Sequence, residues 1–161
     1  MKIKQITTTV MATLALGSTA MAASSGTLLL QGTVNSVNDI VVTANGTNNT
    51  TLNILAGETA KNVGSAIETS NNLAGYKIVI SSSTGGELRH TVDATKKTTY
   101  KIGYDGAASV TPTVAGVMVK NVTSLTGLTT DTSVITADVT AYASAPAGTY
   151  EDTLTVSIQA N

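Results

Sequence analysis

The chain has 161 residues, with nine basic and ten acidic side chains, one histidine and no cysteine. Arg89 is the only arginine and no Lys/Arg cluster exists, which argues against nucleic acid binding, since phosphate neutralisation needs grouped cations. Without cysteine there is neither a disulfide framework nor a thiolate metal site.

Lys2 and Lys4 precede a short apolar run, Ile6 to Leu16, too short to span a membrane as a helix. Ala20-Met21-Ala22 then supplies an A-x-A pattern. Residues 1–22 therefore read as a signal peptide cut after Ala22, with cleavage after Ala20 as the runner-up. The 139 residues that follow carry seven basic and ten acidic side chains, a net of −3. They suffice for one domain with a core. No second apolar run in them reaches membrane length, so the expected product is exported, passing through the periplasm to the cell surface or medium. Tryptophan and phenylalanine are absent, and five tyrosines are the only large aromatics. Abundant Thr, Ser, Asn and Gly suit strands with wet threonine faces and tight turns.

Residues 23–36 read as an N-terminal extension, and 37–161 as the folded domain. Within the extension Leu28, Leu30, Gly32 and Val34 share one face, with Leu29 as an exception on the other. Asp39 to Ala44 reads as a strand, followed by the Asn45-Gly46 hairpin signal and a second strand over Thr51 to Ala56. Gly57 and Glu58 read as a turn. Asn62 to Thr69 is also taken as a strand, with Val63 and Ile67 on one face. Tyr76 to Ser81 alternates cleanly, and Gly85-Gly86 reads as a hairpin turn towards a strand over Glu87 to Val92. Thr98 to Tyr104 places Tyr100, Ile102 and Tyr104 together, and Asp105-Gly106 turns again. Val114 to Val119 is an apolar strand, and Asn121 to Thr132 a Thr- and Gly-rich connection. Ile135, Ala137, Val139, Ala141 and Ala143 then face inwards.

From Pro146 and Gly148 a last strand starts. Tyr150, Leu154, Val156, Ile158 and Ala160 lie on one face, interrupted by Asp152, and Glu151, Thr153, Thr155, Ser157 and Gln159 on the other. Eight or more short strands without helical periodicity predict an all-β, immunoglobulin-like β-sandwich of Greek-key type. Its expected core includes Tyr76, Ile78, Ile80, Tyr100, Ile102, Val139, Leu154, Val156 and Ile158.

Catalytic patterns are missing. His90 stands alone as a metal ligand, and no G-x-S-x-G elbow, P-loop or calcium-loop spacing occurs. Glu151 and Asp152 are adjacent on a strand and point apart, so they cannot work as an acid–base pair. Asn49-Thr50-Thr51 and Asn121-Val122-Thr123 match a glycan acceptor pattern that a Thr- and Asn-rich chain contains by chance. We expect no enzyme, metal or cofactor. The surface tyrosines are read as packing groups rather than sugar platforms.

The tail Pro146 to Ile158, together with Ser70-Asn71-Asn72, Gly75 to Ser82 and Tyr100 to Gly106, resembles chaperone–usher pilus subunits, especially the spore coat U-like secreted pilins. The resemblance spans most of residues 23–161. It implies an immunoglobulin-like fold left one strand short, completed by a donor strand. A periplasmic chaperone would fill the gap first, and an outer-membrane usher would then oversee replacement by a neighbouring pilus subunit's extension. Leu28, Leu30, Gly32 and Val34 would form the donor face, and Tyr150, Leu154, Val156 and Ile158 would border the groove. Many such subunits carry a disulfide that this chain lacks. The alternative is a monomeric secreted binding module or adhesin, with residues 27–34 paired within their own chain.

Overall fold

The computed structural model describes residues 25–161; the expected signal peptide and its cleavage site lie outside the described residues. These divide into two units at Thr33/Val34. Up to Thr33 the described chain carries no regular structure, and Leu28, Leu29 and Leu30 are 83%, 80% and 84% exposed.

From Val34 onward the regular structure is entirely strand. In chain order the strands are β1 (Asn38–Ala44), β2 (Glu58–Ser70), β3 (Tyr76–Ser82), β4 (Glu87–His90), β5 (Lys97–Tyr104), β6 (Val117–Val122), β7 (Thr129–Val139), β8 (Tyr150–Glu151) and β9 (Leu154–Ala160). They form two antiparallel sheets, one ordered β1-β2-β7-β5-β4-β8 and the other β6-β3-β9. One of the two sheets curls into a half-barrel, and together they make a β-sandwich. Among the described residues no helix is long and apolar enough to cross a membrane.

The core follows the period of two. On β3, Tyr76, Ile78, Ile80 and Ser82 point inwards, and on β5 so do Thr98, Tyr100, Ile102 and Tyr104. On β7 Ser133, Ile135, Ala137 and Val139 complete the floor. Six of the nine expected core residues, Tyr76, Ile78, Ile80, Tyr100, Ile102 and Val139, are at most 5% exposed. Leu154, Val156 and Ile158 are only half-buried, because β9 lies at a sheet edge.

Several expectations need correction. On β2 the inward face is Gly64, Ala66, Glu68 and Ser70, and Ile67 is 41% exposed on the outside. The small side chains leave room for the phenol rings of Tyr76 and Tyr104, which reach across to Glu68. Residues 51–56 form no strand. Side chains satisfy the backbone there instead: Asn53 Oδ1 accepts from Ala56 N, Glu58 Oε1 from Asn53 N, and Lys61 Nζ donates to Thr51 O. Glu58, expected in a turn, opens β2. Gly85-Gly86 closes no hairpin but carries the chain from β3 in one sheet to β4 in the other. The connection after β6 is shorter than expected, since β7 already starts at Thr129. Ala141 and Ala143 fall beyond β7 and are exposed.

The largest correction concerns the C-terminal stretch. It is not one strand. Tyr150–Glu151 pairs with β4 in the larger sheet, Arg89 opposite Glu151, while Leu154–Ala160 pairs with β3 in the smaller, Ile78 opposite Ile158. The chain changes sheets at Asp152. Its carboxylate accepts from the hydroxyls of Ser82, Ser83 and Tyr100 and from Thr84 N. Four donors from β3, β5 and the following turn thus fix the crossover.

Candidate functional site: an apolar cleft between β1 and β9

Among the described residues β1 pairs only with β2, and β9 only with β3. The two open edges face each other, one from each sheet, and between them lies a cleft of about 320 Å³. Val42 and Ala44 of β1 form one wall and Leu154 and Val156 of β9 the other. Tyr100, Ile102, Ile135 and Ala137, all core residues, form the floor, and Asp152 and Thr153 close one end. Val42 is 50% exposed, and Leu154 and Val156 are half-buried. These apolar groups sit against the core on one side and face solvent on the other. At about 25 cal/mol per Å² of apolar surface, covering them is favourable.

The cleft's edges differ from the other edge of the smaller sheet. β9 reads Leu-Thr-Val-Ser-Ile-Gln-Ala and holds no charge. β6, at the opposite edge, carries Lys120, whose side chain is 13% exposed and turns inwards. Its ammonium lies 3.1 Å from Glu68, 3.0 Å from Asp105 and 2.7 Å from Asp131. An inward charge on an edge strand is a recurrent guard against unwanted pairing.

The Glu68–Lys120 knot was not foreseen from sequence. Glu68 has no exposed surface. Oε1 accepts from the Tyr104 and Ser133 hydroxyls, and Oε2 from Tyr76 OH and Lys120 Nζ. Burial pushes its carboxyl up, but the hydroxyls of Tyr104, Tyr76 and Ser133 with Lys120 hold it below the usual range. Burial and the Glu68 charge push both tyrosines up. Burial alone would lower Lys120, yet the carboxylates around it raise it, so it stays cationic. All four lone-pair directions of Glu68 are engaged, and the knot welds β2, β3, β5 and β7 to β6. The available signal was a single acidic residue amid Gly, Ala and Ser on β2.

Of the residues expected at the groove, Leu154 and Val156 line the cleft. Ile158 is half-buried further along β9 against the core. Tyr150 belongs elsewhere: in β8 it packs edge-on against His90 at 5.1 Å and near Tyr142 at 6.4 Å between ring centres. The Asp152 crossover separates it from the cleft wall. Of the expected donor face, Leu28, Leu30 and Val34 are 83%, 84% and 87% exposed, and a Cβ on Gly32 would meet nothing within 4 Å. Just beyond, Asn71 ties down the approach to β1: its Oδ1 accepts from Val37 N and its Nδ2 donates to Asn35 O.

Compared with family models and with curated proteins, the chain matches none.

Proposed function

We propose that the protein is an exported structural subunit of a surface fibre or pilus, assembled when an extended segment of a neighbouring subunit fills the cleft between β1 and β9. The observation that carries this reading is the cleft itself: an apolar trough between two strands that both have an unpaired edge. A segment of alternating apolar residues would pair with β9 through its backbone and set its side chains on the core floor. The chain's own residues 27–34 have that pattern. Ten extended residues, 25 to 34, reach about 33 Å, more than the seven-residue β9 requires. The likeness to chaperone–usher pilus subunits supports the same reading, with a periplasmic chaperone strand and an outer-membrane usher as the partners before assembly. Nothing in the site suggests catalysis.

The test is assembly of the exported protein. Leu30→Asp must desolvate a charge on insertion and should abolish heat-resistant multimer ladders while leaving export intact. Gly32→Leu should do so by added bulk, and Thr33→Asp on the other face should be milder. Persistent ladders with Leu30→Asp would remove residues 27–34 as the donor. An unfolded Leu30→Asp monomer would show instead that the segment completes its own domain, as in a stand-alone binding module.

A further inference from the structure

His90 ends β4 at the rim of the larger sheet, opposite Tyr150 of β8. Its ring makes three hydrogen bonds that fix its protonation state by elimination. Ala147 O, 3.1 Å from Nε2, can only accept, so Nε2 carries a proton. Val92 N and Asp93 N, 3.1 and 3.2 Å from Nδ1, can only donate, so Nδ1 is bare. The neutral Nε2–H tautomer alone satisfies all three. The ring thereby joins two loops: residues 91–96, which link β4 to β5, and residues 143–149, which lead into β8. The second loop is built around it, since a Cβ on Gly148 would lie 2.0 Å from Nε2.

We infer that His90 is a pH-sensitive clasp, closed while the ring is neutral and opened when Nδ1 takes a proton. Protonation turns an acceptor into a donor that faces two backbone N–H groups, so both bonds to the 91–93 turn are lost together. The charged neighbours do not restore them. Asp93 is the acidic group that feels the ring's charge, but its carboxylate is engaged by Thr95 N and Oγ1. That attraction acts in the closed turn as well and partly offsets the loss, but it gives the Val92 and Asp93 amides no other acceptor. Lys96 of the same loop opposes the ring's charge. Arg89 and Glu151 are the alternate residues of β4 and β8 and fall on the other face, and Tyr150 and Tyr142 offer neutral rings. Acid should therefore loosen the turn at Val92 and Asp93, while the backbone bonds Thr91 N to Thr149 O and His90 N to Lys96 O keep the ends of the loop in place.

The experiment is nitrogen-15 NMR with amide exchange on the full chain, over a pH series that carries the ring from its neutral to its protonated form. At the neutral end the ring nitrogens should report Nε2–H. As the ring titrates, protection of the Val92 and Asp93 amides, corrected for intrinsic exchange, should fall roughly tenfold. The Ile102 amide of β5, bonded to Val110 O across an isolated bridge, should keep its protection. His90→Gln, which cannot titrate, should show no step at Val92 and Asp93. A ring found as Nδ1–H, amide protection that ignores the ring's titration, or the same step in His90→Gln would each overturn the clasp.

Discussion

Removing the carboxylate of Glu68 leaves two tyrosine hydroxyls, a serine hydroxyl and an ammonium without their shared acceptor. Lys120 keeps Asp105 and Asp131 as counter-charges, so the loss falls on the three buried hydroxyls, which are left without their acceptor. A buried polar group left unsatisfied costs about 1–3 kcal/mol, so Glu68→Ala should lower unfolding stability by at least that much in urea titrations. The sign of the pH effect follows from the lowered carboxyls of Glu68 and Asp152. A carboxyl held below its usual value stabilises the fold above the unfolded-state value and loses that contribution as pH falls through the folded one. Stability should thus be full above about pH 5 and decline as acid protonates first the unfolded and then the folded carboxylates. Glu68→Gln should show a shallower acid decline than the parent, read as urea midpoints at successive pH values. Little of this was legible in the sequence. Glu68 and Lys120 are distant in the chain, each resembles an ordinary surface charge, and only the fold brings them within 3.1 Å.

At the scale of elements, alternation located β3 and β5 and their inward faces, because large apolar groups occupy every second position there. It mislaid the face of β2, where the inward residues are small and one is charged, so the larger outward Ile67 dominated the pattern. It also ran straight through the sheet change at residue 152, since Tyr150, Asp152, Leu154 and Val156 keep the same period on both sides. The interruption at Asp152 was the one visible mark of the crossover. That residue fixes position: with five donors on its carboxylate, Thr153 N among them, it decides where β9 begins and so where the cleft's wall stands. Asp152→Ala should cost roughly 1–3 kcal/mol through unsatisfied donors, and Asp152→Asn should recover part of it. Thermal melts of the two variants beside the parent check the order. If Asp152→Ala melts with the parent, the crossover is held by the flanking ladders alone.

For the molecule as a whole, the sandwich is packed at its centre and open along one seam. A fully buried isoleucine and a seam leucine should therefore respond differently. Ile78→Ala should cost about 2–5 kcal/mol, whereas Leu154→Ala, at a half-buried position, should cost distinctly less. A strand laid in the seam changes this. A synthetic peptide of residues 25–36, at a hundred times its dissociation constant, should raise stability by about 2.7 kcal/mol, and Leu154→Ala should then weaken the peptide's effect more than it weakens the free protein. Calorimetry with and without peptide measures both. A peptide that leaves the melting temperature unchanged would show that the seam does not accept this segment.

The contrast between β6 and β9 has a consequence for geometry of growth. The smaller sheet has two margins, but one is occupied by an ammonium drawn inwards to three carboxylates and the other bears no charge at all. A strand arriving at the first would have to seat beside a fixed cation, while one arriving at the second meets only uncharged groups. Within this sheet, then, one margin is uncharged and the other is not. If the protein assembles as proposed, units that each offer that one margin and one matching segment would join into unbranched rows.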